Sequence, residues 1–494
     1  MRLNTLLERA GYEPVAGETQ VTGFAIDNRK VAKGSVFGAF RGSAANGEDY
    51  IPHAIAAGAV AIVARPEAHV DGAIHIADAE PRRAFARIAA GFFRPTPQTV
   101  VAVTGTNGKT STVEMTRQIW RMCGFSAASI GTLGVTTPDE SVSTGLTTPD
   151  IATFLSNMTG LAREGVTHVA YEASSHGLSQ YRNEGLPVAA CAFTNLSRDH
   201  LDYHADMDDY FAAKMRLVEE VVDDGGAAVV WMDDGKSAAV ADRVRRRGLR
   251  LFAVGENGDG GDDGGGGIRL LSRTPTELGQ ELAILHDGQE RTIRLPLIGA
   301  YQAANALCAA GLAIVTGGKD GPGAAQVFDA MGRLQPVRGR LERAAINRAG
   351  APVYVDYAHT PDALEAAIAA LRPHVSGRLI TVFGAGGDRD TGKRGPMGTV
   401  AARASDIAIV TDDNPRGEDP SAIRAAILAG ADEGILREVA GRREAIAAAI
   451  GEAGRGDIVL IAGKGHEQGQ IHGRGEAQRI EPFDDVTVAR ECAA

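Results

Sequence analysis

Cysteine is scarce in this chain of 494 residues: Cys123, Cys191, Cys308 and Cys492 are all there are. They lie scattered, without metal-ligand spacing, which argues against a zinc cluster or a disulfide framework. Cys123 and Cys308 sit in apolar, helix-like contexts and read as packing residues. Long hydrophobic runs are also missing. No stretch approaches the roughly 20 apolar residues of a membrane span, and Met1 to Glu8 lacks the long apolar core of a signal peptide. Positive charge is in deficit, with a formal net charge of −11. That argues against a nucleic-acid surface and gives no sign of membrane binding. The expectation is a cytoplasmic protein in a reducing compartment.

What is present is apolar residue in quantity, 44%, enough for several buried cores. Alternating strand-like and helix-like segments predict an α/β protein of three domains, 1–97, 98–333 and 334–494. The expected fold is a central P-loop parallel-sheet ATPase domain followed by a C-terminal Rossmann-like, doubly wound domain. In the first domain Val36–Phe40 and Val60–Ala64 read as strands and Pro52–Gly58 as a short helix. The polar stretches Ile26–Arg29 and Arg41–Gly47 beside these strands are surface turns or ligand loops, with turns favoured by composition alone. Arg94-Pro95-Thr96-Pro97-Gln98 reads as a linker, since two prolines cannot join a sheet.

The most informative stretch is Val100-Val101-Ala102-Val103-Thr104-Gly105-Thr106-Asn107-Gly108-Lys109-Thr110-Ser111. An apolar strand runs into a Gly-rich turn, and a helix-like segment, 112–122, follows. Such a turn bares backbone N–H groups ahead of a helix N-terminus, a site for phosphate oxygens. Lys109 can reach the β- and γ-phosphates and the Thr110 hydroxyl can ligate Mg²⁺. The loop is shorter than the general pattern, because Val103 stands where a Gly is usual.

Two further apolar strands follow, 166–172 and 190–196, each ending in polar residues. The first ends at Glu172 and the second runs on to His200. Strand carboxyl ends are the ligand side of a parallel sheet, so both residues are candidate Mg²⁺ partners, direct or through water. The glycine- and acid-rich segment 255–267 reads as an exposed hairpin tip; its acids lack the spacing of a calcium loop. An apolar helix is expected over 306–315, and a domain boundary near 331–340. In the last domain, strands at 352–357, 379–384, 407–411 and 458–462 lead into three polar loops, 386–390, 412–417 and 463–467.

Five motifs now lie in order: Thr104–Thr110, Tyr171–Leu178, Thr194–His204, Asp356–Pro361 and Asp413–Arg416. Together they resemble the Mur ligases of peptidoglycan synthesis over nearly the whole chain, and among them the branch that adds the third peptide residue. The resemblance implies an ATP-dependent amide ligase acting on UDP-N-acetylmuramoyl-L-alanyl-D-glutamate through an acyl phosphate. It implies small-molecule substrates only, with neither nucleic acid nor membrane as partner, and a monomer. ATP and Mg²⁺ are the implied cofactors, with Lys109, Glu172 and His200 catalytic and Thr110, Glu172 and His200 at metal. It places Asn305, Arg340, Asp356 and His359 at the nucleotide. It places Lys214 at the family's carbamylated lysine, where a CO₂-derived carbamate ligates a second Mg²⁺; the alternative is a surface lysine. For the UDP substrate the family pattern maps to Ile26, Asn28, Ser43, Ala44, Ala45, Thr147, Thr148, Ser174, Gln180 and Arg182.

The incoming amine is read from the last domain. A ligase for meso-diaminopimelate has a second carboxylate to recognise, and one for L-lysine does not. Asp413, Asn414, Pro415 and Arg416 match the family's diaminopimelate motif; Pro415 fixes the loop and Arg416 can grip a carboxylate with two hydrogen bonds. Arg389 is a second cation, Glu467 can accept from the distal ammonium, and the Gly463 backbone lies alongside. The alternatives are the same reaction with L-lysine, a folylpolyglutamate-synthase-like ligase, and, in another class, a nucleotide switch that hydrolyses without an acceptor.

Overall fold

The computed structural model describes the chain apart from residues 43–45, 138–140, 143–146, 202, 259–265, 277–278, 319–320 and 433–434. The chain forms two compact units. The first comprises residues 1–254, 259–267 and 308–324, and the second 255–258, 268–307 and 325–494.

The first unit opens with a parallel sheet whose strands, Gly23–Ala25, Ser35–Gly38, Ala61–Ala64 and Ile74–Ala77, pair in chain order. The expected strands near 36 and 60 and the helix, Ile51–Ala56, are present. Gly23–Ala25 and Ile74–Ala77 are short and half-exposed, and no apolar run announces them. The helix Pro81–Phe92 buries Phe85 and Ile88 and joins the large core of this unit.

Its main sheet runs in the order Arg250–Gly255, Ala227–Trp231, Ala190–Phe193, Thr99–Thr104, His168–Glu172, Ala127–Gly131, Gly134–Thr136, Ser141–Val142. Pairing is parallel as far as Ala127–Gly131 and antiparallel beyond. Thr99–Thr104 lies centrally. Its register sets Val103 opposite Glu172 and Thr104 opposite Phe193, so three strand ends meet on one edge. The helix after the Gly-rich turn spans Lys109–Met122, three residues earlier than expected, because the polar Lys-Thr-Ser opening already has helical backbone behind Gly108.

The second unit contains an antiparallel meander, Gly267–Thr276, Gly279–His286 and Gln289–Leu295. The expected tip at 255–267 lies largely outside the described residues. The helix Ala300–Val315 begins six residues before the expected 306. Its first two turns carry Gln302 and Asn305, both buried through hydrogen bonds rather than apolarity.

The C-terminal sheet runs Glu342–Ile346, Pro352–Asp356, Ile458–Ala462, Leu379–Phe383, Ile407–Val410, Leu436–Glu438, parallel except for the first pair. Alternate residues of a strand face opposite sides. Leu379, Phe383 and Val410 pack with helices Pro361–Leu371, Arg394–Ala404 and Pro420–Leu428. Ile380, Val382 and Ile409 pack with Arg442–Glu452 and Asp485–Ala493. Helices on both faces make the expected doubly wound sheet. A small hairpin, Gly469–His472 with Arg479–Pro482, is appended after the last parallel strand.

Candidate active site

In the first unit the Gly-rich turn is built against the strand end at 194–197. Gly105 has φ +144° and Gly108 φ +86°; a Cβ on Gly105 would overlap the Thr194 hydroxyl. Asn195 accepts from the Thr106 N–H through its carbonyl and from the Asn107 N–H through Oδ1, both at 2.9 Å. The Thr106 hydroxyl accepts from the Ser197 N–H at 3.0 Å and from the Tyr210 hydroxyl at 3.2 Å. Thr194, Asn195 and Tyr210 were not singled out in the sequence as builders of this loop, although Thr194-Asn195 opens one of its five motifs.

Lys109 folds over the loop and donates to Gly105 O at 2.9 Å and Thr106 O at 2.7 Å. Lys214, on the helix Met207–Arg216, is only 1% exposed and donates to the same Gly105 carbonyl at 2.7 Å. The surface-lysine alternative is therefore wrong. Burial, then the like charge of Lys109, push the Lys214 amine well below the usual lysine range.

Glu172 is buried at its strand end. Thr132 donates to it twice, from N–H to Oε1 at 2.7 Å and from Oγ1 to Oε2 at 3.1 Å. Gly131 makes room, since a Cβ there would overlap Glu172 Oε1. His200 has a left-handed backbone, its side chain is 41% exposed, and Nε2 lies 3.5 Å from Asp199 Oδ2. Thr110 is buried in the first helical turn. Among the described residues no three His, Cys, Asp or Glu side chains group as a metal cage. The donor set of Thr110 and Glu172 fits a hard, oxygen-seeking ion that keeps several waters.

The residues expected at the UDP substrate fall into two groups. Thr147, Thr148, Ser174, Gln180 and Arg182 are brought together. Thr147 Oγ1 lies 3.1 Å from Thr132 Oγ1, and Thr148 Oγ1 lies 2.9 Å from Ser174 Oγ. Arg182 donates to Thr148 O at 2.8 Å and to Gln180 Oε1 at 2.7 Å. Ile26 and Asn28 lie at the end of Gly23–Ala25 and in the turn Asn28–Lys30, which Asp27 caps. Ser43, Ala44 and Ala45 lie outside the described residues.

In the second unit the residues expected at the nucleotide are linked. Asn305 donates to Gln302 Oε1 at 3.2 Å, and Gln302 donates to Arg340 O at 3.0 Å. The Arg340 guanidinium lies 4.5 Å over the Tyr357 ring, and the His359 ring lies 4.6 Å from the same ring. Asp356 accepts from the Leu341 and Ala358 N–H groups at 2.7 and 2.8 Å; burial nevertheless raises its carboxyl above the usual range. Gln302 has no charge or motif in sequence to mark it.

The loops after three C-terminal strands interlock. Asp413 and Asn414 are buried. Burial would raise the Asp413 carboxyl, but the cations of Arg442 and Lys464 outweigh it and hold it below the usual range. Asn414 donates to Glu467 Oε2 at 2.7 Å. Arg416 has a left-handed backbone (φ +51°) and is bound into the appended hairpin, its N–H donating to Ile471 O at 2.9 Å and its carbonyl accepting from Gly473 N–H at 2.7 Å. Its guanidinium donates to Gly387 O at 2.9 Å. Asp388 accepts from the Gly417 N–H at 3.0 Å and from Arg474 Nε at 2.6 Å, and its own N–H donates to Glu418 Oε1 at 2.6 Å. Arg389, the next residue, is exposed. Gly463 (φ +118°) packs so that a Cβ would lie 2.7 Å from Asp413 Oδ2.

Three consecutive segments match Mur ligase domains: residues 20–93 the Mur ligase family catalytic domain, 103–313 the Mur ligase middle domain, and 339–465 the Mur ligase glutamate ligase domain. A UDP-N-acetylmuramoyl-L-alanyl-D-glutamate–2,6-diaminopimelate ligase of Zymomonas mobilis is 56% identical over 490 residues, covering 99% of this chain and 98% of its own. The ligase of the same name from Bradyrhizobium diazoefficiens is 51% identical, covering 98% and 97%. A solved structure of a ligase of that name superposes with a TM-score of 0.68 at 31% identity, covering 97% of this chain and 95% of its own. With its three domain matches and these relatives, the chain belongs to the Mur ligase family, in the branch of the UDP-N-acetylmuramoyl-L-alanyl-D-glutamate–2,6-diaminopimelate ligases.

Proposed function

We propose that the chain joins meso-2,6-diaminopimelate to the D-glutamate side chain of UDP-N-acetylmuramoyl-L-alanyl-D-glutamate, using ATP. The observation that carries the choice of amine is the interlocked loop set. It offers a cation at Arg416 and a carboxylate at Glu467, opposite charges that suit a distal ammonium and carboxylate on one amino acid. L-Lysine would leave Arg416 facing no anion, at a cost on the order of 1–3 kcal/mol.

A carboxylate is a poor acyl donor because its leaving group would be oxide. Its oxygen attacks the γ-phosphorus of ATP, ADP departs, and an acyl phosphate forms. The amine then adds to that carbonyl, loses a proton, and phosphate leaves from the tetrahedral adduct. Lys109 and the N–H groups at the start of the helix Lys109–Met122 offset charge on the transferring phosphoryl group. Thr110 and Glu172 are the residues to hold Mg²⁺, which supplies further charge neutralisation when bound; His200 is a candidate through water. Lys214 is proposed to carry a carbamate: burial lowers its pKa and so favours the free amine, whose lone pair adds to CO₂; the nitrogen then loses a proton, and the product is an anion beside Lys109. Thr147, Thr148, Ser174, Gln180 and Arg182 bind the UDP substrate, with Ile26, Asn28 and residues 43–45 as the first-domain share. Asn305, Arg340, Asp356 and His359 bind the nucleotide. Arg389, Asp413, Asn414, Pro415, Arg416, Gly463 and Glu467 bind the diamino acid.

The test is competition. With ATP and the UDP-dipeptide, mass spectrometry of the products from equimolar meso-diaminopimelate and L-lysine is expected to show the diaminopimelate adduct in large excess. Preferred incorporation of lysine overturns the choice of amine. ADP release at the same rate without the UDP-dipeptide overturns the ligase reading in favour of a nucleotide switch.

A further inference from the structure

Lys464 is completely buried in the second unit, between the strand Ile458–Ala462 and the hairpin that begins at Gly469. A lysine ammonium has three protons and accepts nothing. Here each proton has one acceptor: Asn414 Oδ1 at 3.0 Å, Glu467 Oε2 at 3.1 Å and Gly469 O at 2.7 Å. No proton is left for a ligand, so Lys464 acts only through the groups it holds.

Two of those groups are the ones that the reading above assigns to the diamino acid. The two ends of an asparagine amide differ only in whether they donate or accept, and a donor-only neighbour decides which end faces it. Lys464 and the Ile471 N–H, at 3.0 Å, both donate to Asn414 Oδ1 and fill its two lone pairs. The Nδ2 end is thereby turned to Glu467, spending one proton on Oε2. Oε2 receives Lys464 as well, while Oε1 has no partner among the described residues. The second Nδ2 proton and Glu467 Oε1 are left over, one donor and one anionic acceptor side by side. A distal stereocentre carrying a carboxylate and an ammonium has the matching pair.

We propose that Lys464 is the positioning residue for diamino-acid selectivity: it fixes the Asn414 amide and the Glu467 carboxylate so that one proton and one oxygen remain to read the distal ammonium and carboxylate of the substrate. This rests on the reading of Asn414 and Glu467 as diamino-acid ligands.

The experiment compares Lys464→Met, of similar length but without donors, with the unaltered enzyme. It measures KM for meso-diaminopimelate, ATP and the UDP-dipeptide, and the kcat/KM preference for meso-diaminopimelate over 2-aminopimelate, which lacks the distal amine. Lys464→Met is expected to raise the diaminopimelate KM at least tenfold, to leave the other two within twofold, and to bring the preference close to one. Lys464→Arg is expected to fall between. An unchanged preference, or three KM values that rise together, overturns the proposal. Should Lys464→Met not fold, the ratio is read on Lys464→Arg, whose planar head cannot place one proton on each of three converging acceptors: a preference lowered at least threefold with ATP KM unchanged supports the proposal, and an unchanged preference overturns it. If the unaltered enzyme itself does not prefer meso-diaminopimelate over 2-aminopimelate, the assignment of Glu467 fails, whatever Lys464 does.

Discussion

Lys109 and Lys214 donate to one and the same carbonyl, that of Gly105, at 2.9 and 2.7 Å. The two like charges disfavour each other, and burial adds to the effect on Lys214, whose amine is pushed well below the usual lysine range. The two lysines that meet at this carbonyl are thus unequal.

The division of labour predicts different mutational signatures. Lys109→Ala is expected to lower turnover by about 100- to 1,000-fold or more while the thermal unfolding midpoint stays close to the original. Near-normal ligation by the folded variant would remove the phosphate-loop assignment.

Lys214→Ala is expected to lose most activity, and Lys214→Glu to regain part of it, because a carboxylate then stands near the place of the carbamate. Depleting CO₂ should slow the unaltered enzyme, and bicarbonate should restore it. Full activity in Lys214→Ala would reject a chemical role for this lysine.

Gly131 gives Glu172 its space, so Gly131→Ala must push the carboxylate or Thr132 aside. The expected result is a raised magnesium requirement, roughly tenfold, with activity partly recovered at high Mg²⁺. A magnesium titration superimposable on that of the original would separate Glu172 from the metal.

Arg416→Ala is expected to raise KM for meso-diaminopimelate about 10- to 100-fold, the equivalent of roughly 1–3 kcal/mol, with KM for ATP nearly constant. Parallel loss of both affinities would mean that the loop had collapsed rather than lost a ligand.

His168 gives an acid limb to stability. It is buried against Trp120 and Phe125, with ring centroids 5.0 and 4.4 Å away, and burial lowers its pKa from 6.5 to about 4. Between those values the unfolded chain binds a proton that the folded chain refuses, so stability falls as the pH drops through this window, by up to about 1.4 kcal/mol per pH unit. His168→Phe is expected to flatten this limb in thermal unfolding between pH 6.5 and 4. An equally steep decline in the variant would place the acid sensitivity elsewhere.

Legibility in the sequence followed the kind of force at work. Strands such as 100–104, 379–383 and 458–462 are buried on both faces and show as apolar runs broken only by Thr104 and Thr381, so they could be read directly. Leu436–Glu438 and the hairpin at 469–482 could not: their residues are mostly polar, and what makes them strands is backbone pairing, to 408–410 for the first and within the hairpin itself for the second. The same division holds at the site. Lys109 and Arg416 declare themselves through charge and motif. Gln302, Tyr210 and Thr132 do their work through hydrogen bonds to partners up to 104 residues away, a relationship that local composition does not encode.

The crossed bonds among the loops at 386–390, 413–418 and 469–474 bear on how amine preference can change over evolution. Asp388 caps Gly417, Glu418 caps Asp388, Arg474 ties the hairpin to Asp388, and the Arg416 backbone ties it to the loop at 413–418. A substitution in one loop therefore removes a partner from another, while the sheet beneath, whose strands pair through backbone alone, is indifferent to it. The three loops are then one mechanical unit: grafting all of them together onto another Mur ligase sheet preserves their mutual bonds, and grafting any one of them breaks bonds that the host cannot supply.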